Sequence, residues 1–100
     1  MARLQPETRR EQILAAALQV AAKPNGWGHL NRRVVAYAAD CSEGLVSKYF
    51  GTVKKLRKTV MVTAVEREIL PIVIQGVIAQ DRYALKAPAA LKTAAIQSLG

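Results

Sequence analysis

A chain of 100 residues, 51% of them hydrophobic, has room for one small domain and is too apolar to be a disordered tail. Fifteen Lys and Arg against seven Asp and Glu leave a formal net charge of +8, which suits a polyanionic partner, nucleic acid before an anionic membrane surface. A single cysteine, Cys41, and a single histidine, His29, exclude an internal disulfide and supply too few ligands for a structural zinc site.

Thr8 to Glu11 reads as a capping box, in which hydroxyl and carboxylate each satisfy a free backbone N–H. It opens a first helix with Ile13, Leu14, Ala17, Leu18 and Ala21 on one face. The apolar stretch from Ile13 to Ala22 follows Arg9-Arg10 as a secretion signal would. Glu7, Glu11 and Gln12 precede it and Gln19 interrupts it, so a cytoplasmic location is expected. Pro24-Asn25-Gly26 ends the helix. In the loop that follows, Trp27 is read as a cover on the core and His29 as an exposed residue.

Asn31 caps a short second helix, Arg32 to Ala39, with Val35, Ala36 and Ala39 inward and Arg32 and Arg33 at its exposed amino end. Tyr37 is read either as a brace within the helix pair or as a phosphate partner. Asp40-Cys41 breaks the pattern, and Ser42 caps a third helix. Its buried stripe is Val46 and Phe50, which leaves Leu45, Ser47, Lys48 and Tyr49 facing outward. Thr52 caps a longer fourth helix that turns Leu56 and Val60 inward and Lys54, Lys55, Arg57 and Lys58 mostly outward.

The segment Ile69 to Ala79 is apolar but contains Pro71, Gln75 and Gly76, and falls well short of the roughly 20 residues a membrane-spanning helix needs. Pro71 interrupts or kinks the chain, and Pro88 opens a last helix ending near Leu99. The expected fold is therefore all-α: a helix-turn-helix three-helix domain, then a longer fourth helix and one or two short C-terminal helices.

Charge divides the chain. Residues 1–60 hold 11 Lys and Arg against 4 Asp and Glu, whereas residues 61–100 hold 4 against 3. Phosphate attraction needs clustered cations, so the partner-binding half is expected in the first 60 residues; the expected domain division is 1–56 for binding and 57–100 for dimerisation. Two short capped helices joined by a tight turn make a helix-turn-helix pattern. An α-helix fits the DNA major groove, where base edges are distinguishable. Asn31, Arg32 and Arg33 on one flank, and Thr52, Lys54 and Lys55 on the other, would bracket the third helix with phosphate-binding groups.

From Thr8 to Leu56 the chain resembles the DNA-binding domain of the TetR family, the tetracycline-repressor-like regulators. The resemblance rests on Arg10 with Ile13-Leu14-Ala15-Ala16-Ala17, on Gly26, and on Leu30-Asn31-Arg32-Arg33-Val34-Val35-Ala36. Ala39, Ser42-Glu43-Gly44-Leu45-Val46-Ser47-Lys48-Tyr49-Phe50 and Leu56 complete it. It implies a third helix in the major groove and Arg33 on a base or phosphate. Glu43, Gly44, Leu45, Ser47, Lys48 and Tyr49 would face DNA, with Ser42 at the helix start. Thr52 and Lys54 would lie at or beside phosphate contacts. The chain departs from the family pattern at Asp40 (usually glycine), Cys41 (usually valine) and Gly51 (commonly proline). Aspartate tolerates the left-handed turn conformation better than most residues. Leu45 occupies an often polar position; it either touches a thymine methyl or tucks under Arg33.

Only 32 residues follow Glu68, against well over a hundred in the ligand-binding region of such regulators. No small-molecule effector pocket within one subunit is therefore expected, nor any cofactor or metal. The apolar residues Ile69, Ile72, Val73, Val77, Ile78, Leu91 and Leu99 would instead be covered by a second copy. No nucleophile–base pair or glycine-rich phosphate loop points to an enzyme. The expected function is sequence-specific binding of double-stranded DNA as a homodimeric repressor. The alternative is a protein-interaction module built on a degenerate helix-turn-helix.

Overall fold

The computed structural model describes residues 6–99. Those residues form seven helices and no strand, an all-α fold: α1 (Pro6–Ala22), α2 (Arg32–Ala39), α3 (Glu43–Phe50), α4 (Val53–Glu66), α5 (Leu70–Ile78), α6 (Arg82–Leu85) and α7 (Ala89–Gln97). Residues 1–5 and 100, the outer ends of the two expected segments, lie outside the described residues. No helix among the described residues is long and apolar enough to cross a membrane.

The helix starts follow local chemistry. Asn31 Oδ1 accepts from Val34 N at 2.9 Å, Ser42 Oγ from Leu45 N at 3.1 Å, and Thr52 Oγ1 from Lys55 N at 3.2 Å. Each cap satisfies a backbone donor that the first turn leaves free. Asp40 ends α2 in the left-handed conformation, φ 55° and ψ 51°, where the sequence places aspartate instead of glycine. Gly51 ends α3 at φ 75°, a conformation that glycine reaches without the penalty of a side chain.

Three expectations about elements are corrected. Thr8 does not cap α1, because the helix is already running at Pro6 and proline suits a first turn. Pro71 lies in the first turn of α5 and breaks no helix. Three short helices follow α4, where one or two are expected; the extra one, α6, is a single turn held by Asp81 Oδ2, which accepts from Tyr83 N and Ala84 N. Four residues are too few to leave a periodic signal.

One apolar core runs from Ile13 in α1 through Val35, Val46, Phe50, Leu56 and Met61 to Ile72, Leu91 and Ala95. It is continuous across position 56, which falls inside α4, so the two segments distinguished by charge share a single core. At its centre α5 approaches α4 and α6 closely at Gly76. A methyl group there would meet Met61 Cε and lie 2.7 Å from the Ala84 Cβ. The close approach therefore belongs to packing within one chain. Gly76→Ala is expected to lower stability by about 1–2 kcal/mol, as overpacking outweighs the gain of about 1 kcal/mol in helix propensity. Thermal melting checks this; a variant melting above the parent would show that Met61 yields without cost.

Candidate functional site

The expected binding residues converge on the α2–α3 pair and the start of α4. Helix α3 buries Val46 (0% exposed) and Phe50 (5%) against the core, as their four-residue spacing requires. The 3.6-residue turn places Gly44 and Lys48 roughly opposite that stripe, and both are exposed together with Ser42 and Glu43. Leu45 and Tyr49 lie beside the stripe, half-buried and packed on the core, so neither projects freely outward as expected. The Lys48 ammonium stands 5.9 Å from the Tyr49 ring centre, a cation over an aromatic face.

Arg33, Lys54 and Lys55 are exposed. Arg32 is half-buried and donates from Nη1 to Ser47 Oγ at 3.1 Å, a brace between α2 and α3. Arg32 and Ser47, both expected at the DNA surface, thus bond to each other across the helix pair. Tyr37 is 90% exposed, which removes the reading of it as a brace. The side-chain oxygens of Asn31, Ser42 and Thr52 are engaged as helix caps, which orients the helix starts.

The α1–α2 loop is tied down by residues that sequence periodicity does not single out. Trp27, only 3% exposed, covers the core as expected. Arg57 of α4, expected outward, instead donates from Nη1 to the carbonyls of Trp27 (2.7 Å) and Leu30 (3.1 Å), and its guanidinium lies 4.0 Å from the Trp27 ring centre. Burial pushes its pKa below the usual arginine value, partly opposed by the charge of Asp81. Arginine starts so far above neutrality that it stays charged. From α5, Gln75 accepts from Trp27 N at 3.0 Å and donates from Nε2 to the carbonyls of Ala21 (2.7 Å), Pro71 (2.8 Å) and Lys23 (3.2 Å). A lone glutamine inside the apolar run Leu70 to Ile78 was the available sign of such a half-buried polar tie. Arg10 of α1 stacks over Phe50 at 4.8 Å and closes the carboxyl end of α3.

The residues expected at a dimer contact divide into two groups. Ile72 and Val73 (each 0% exposed) and Leu91 (6%) are enclosed by their own chain, because α5, α6 and α7 pack on one another and on α1 and α4. These three are corrected from interface to core. Ile69 and Val77 are half-buried, whereas Ile78 and Leu99 remain exposed. Comparison with protein families, with characterised proteins and with solved structures gave no match.

Proposed function

We propose that this protein is a sequence-specific double-stranded DNA-binding regulator, a repressor that acts as a homodimer on a palindromic operator. The observation that carries this reading is the outer face of α3. Gly44 and Lys48 are exposed on a short capped helix, and Arg33 in the helix before it and Lys54 and Lys55 at the start of the helix after it are exposed as well. A helix of this kind fits the major groove, and flanking cations meet the phosphates that set its register. The small Gly44 leaves room for close approach, and Lys48 is the donor aimed at base-edge acceptors. Exposed Ile78 and Leu99 offer the contact between copies. Two-fold symmetry then places the recognition helices about 34 Å apart, on half-sites about 10 base pairs apart.

Selection of bound sequences from random duplexes is expected to return a palindromic site. On that site, Lys48→Ala is expected to weaken binding about 10–100-fold, the usual discrimination of one good base contact. Lys54→Ala should weaken all duplexes alike and reduce the salt slope by about 1. If no sequence is enriched and the variants match the parent, the DNA assignment fails and the interaction-module reading replaces it. For the dimer, Ile78→Lys combined with Leu99→Lys is expected to give a monomer in sedimentation. A dimer that persists would place the contact elsewhere.

A further inference from the structure

We propose that the cleft between α4 and α6 is a binding site for an oligophosphate anion, next to the proposed DNA surface, with which it shares Lys54 and Lys55, and extended beyond it by Lys58 and Arg82. The cleft is open, about 540 Å³ in volume, and is lined by Lys54, Lys55, Arg57 and Lys58 from α4 and by Asp81, Arg82 and Tyr83 around α6. Five cations therefore line it with one carboxylate. That carboxylate is engaged with the backbone of α6, where Asp81 Oδ2 accepts from Tyr83 N at 3.0 Å and from Ala84 N at 3.1 Å.

The cations outnumber their counter-charge: Asp81 is the one carboxylate among the residues lining the cleft, and its charge acts on Arg57. Lys58 of α4 stands 5.4 Å from the Tyr83 ring centre and Lys86 5.9 Å from it, so two ammonium groups from separate elements flank one aromatic ring. Among the described residues, no ion pair involves Lys54, Lys55, Lys58, Arg82 or Lys86. The like charges that line the cleft repel one another, and an anion bound among them offsets that repulsion. Arg82 and the lysines supply the charge-assisted donors that phosphate oxygens take best.

The walls are also rigid. Ala84 of α6 packs into the core against Gly76 and is 0% exposed, while Asp81 caps the same turn. Only the long, exposed ends of Lys58, Arg82 and Lys86 need to adjust to a ligand. The shared chemistry is a chain of phosphate groups, and two sources provide it: the backbone of a duplex passing the start of α4, or a free oligophosphate.

Calorimetric titration with inorganic tripolyphosphate at low salt tests the site. The parent protein is expected to bind it, and the double variant Lys58→Gln/Arg82→Gln to bind about tenfold or more weakly, as loss of two charge-assisted contacts implies. The control Arg33→Gln/Lys48→Gln removes the same charge elsewhere and should leave tripolyphosphate binding unchanged. Both pairs are on the exposed surface, and circular dichroism confirms that each variant is folded. Equal weakening in both double variants, or no binding by the parent, would overturn the site.

A second arm compares the salt dependence of binding to duplexes of two lengths. A steeper slope on the longer duplex that Lys58→Gln/Arg82→Gln abolishes identifies the DNA backbone as the source. A slope that Lys58→Gln/Arg82→Gln leaves unchanged, while the same variant loses tripolyphosphate binding, identifies a free anion. Loss of DNA selectivity in Arg33→Gln/Lys48→Gln bears on the α2–α3 pair, whose two residues do not line the cleft, so the two assignments fail separately.

Discussion

Arg57→Ala is expected to remove about 3 kcal/mol of stability, since charged hydrogen bonds contribute about 1.5–3 kcal/mol each and a cation over an aromatic ring adds about 1 kcal/mol. One guanidinium nitrogen serves the carbonyls of both Trp27 and Leu30, and the group stacks on Trp27. Its loss removes the side-chain donor from both carbonyls, leaving Trp27 O with the longer bond from Leu30 N at 3.3 Å, and uncovers an indole that is 3% exposed. Part of the gross interaction is offset by the desolvation that already lowers the Arg57 pKa, and one nitrogen is shared between both acceptors, which brings the net below the summed range of about 4–7 kcal/mol. Urea denaturation checks the value: the midpoint should fall with little change in slope. Arg57→Lys is the sharper comparison. It keeps the charge but loses the planar fork, and should recover less than half of the lost stability. Equal stability of alanine, lysine and parent forms would show that the loop needs no tie to α4.

Gln75→Glu is expected to destabilise the domain by about 3 kcal/mol at neutral pH, more than removal of a single neutral hydrogen bond does. In the parent, Nε2 faces the carbonyl oxygens of Ala21, Lys23 and Pro71. A carboxylate there turns an acceptor toward three acceptors. Burial among carbonyls would raise the folded-state pKa of the new acid above its ordinary value of about 4.3, because only the protonated form can donate. The folded state then binds the proton more readily than the unfolded state, so stability rises as pH falls through the folded-state pKa and levels off below about 4.3. Gln75→Leu should be destabilised without this additional pH dependence. A Gln75→Glu variant whose stability relative to the parent ignored pH between 7 and 4 would exclude the half-buried amide network.

Both effects bear on the proposed recognition surface, because α2 begins where the tied loop ends. Arg57 and Gln75 hold Trp27 from its carbonyl, ring and N–H, and thereby set where Asn31 starts α2 relative to α4 and α5. Arg10 on Phe50 and Arg32 on Ser47 fix α3 from two further sides. A short helix presented to a duplex must hold its orientation, and these four polar or cationic side chains supply that rigidity.

The local grammar of the chain was legible from its residues. Asn31, Ser42 and Thr52 are caps in the structure because a short polar side chain before a helical run satisfies a neighbouring N–H whatever surrounds it. Val46 with Phe50, and Leu56 with Val60, are buried because a four-residue spacing puts both members on one face. Asp40 takes the left-handed conformation for an equally local reason.

What periodicity left open was which of several apolar or basic side chains the neighbouring helices would cover. Ile72, Val73 and Leu91 have the same hydropathy as Ile78 and Leu99, yet the first three are enclosed and the last two exposed. Arg57 has the same charge as Lys54, yet it turns inward because carbonyls from a loop about thirty positions earlier stand beside it. Caps, turns and buried stripes depend on contacts within a few residues, so the amino-acid order is enough to specify them. The half-burial of Leu45 and Tyr49, the engagement of Arg32 with Ser47, and the placing of Lys58 and Lys86 against Tyr83 depend on how α1 to α7 pack together. Those features arise from contacts between distant stretches of chain, and they appear only once the core has brought the helices together.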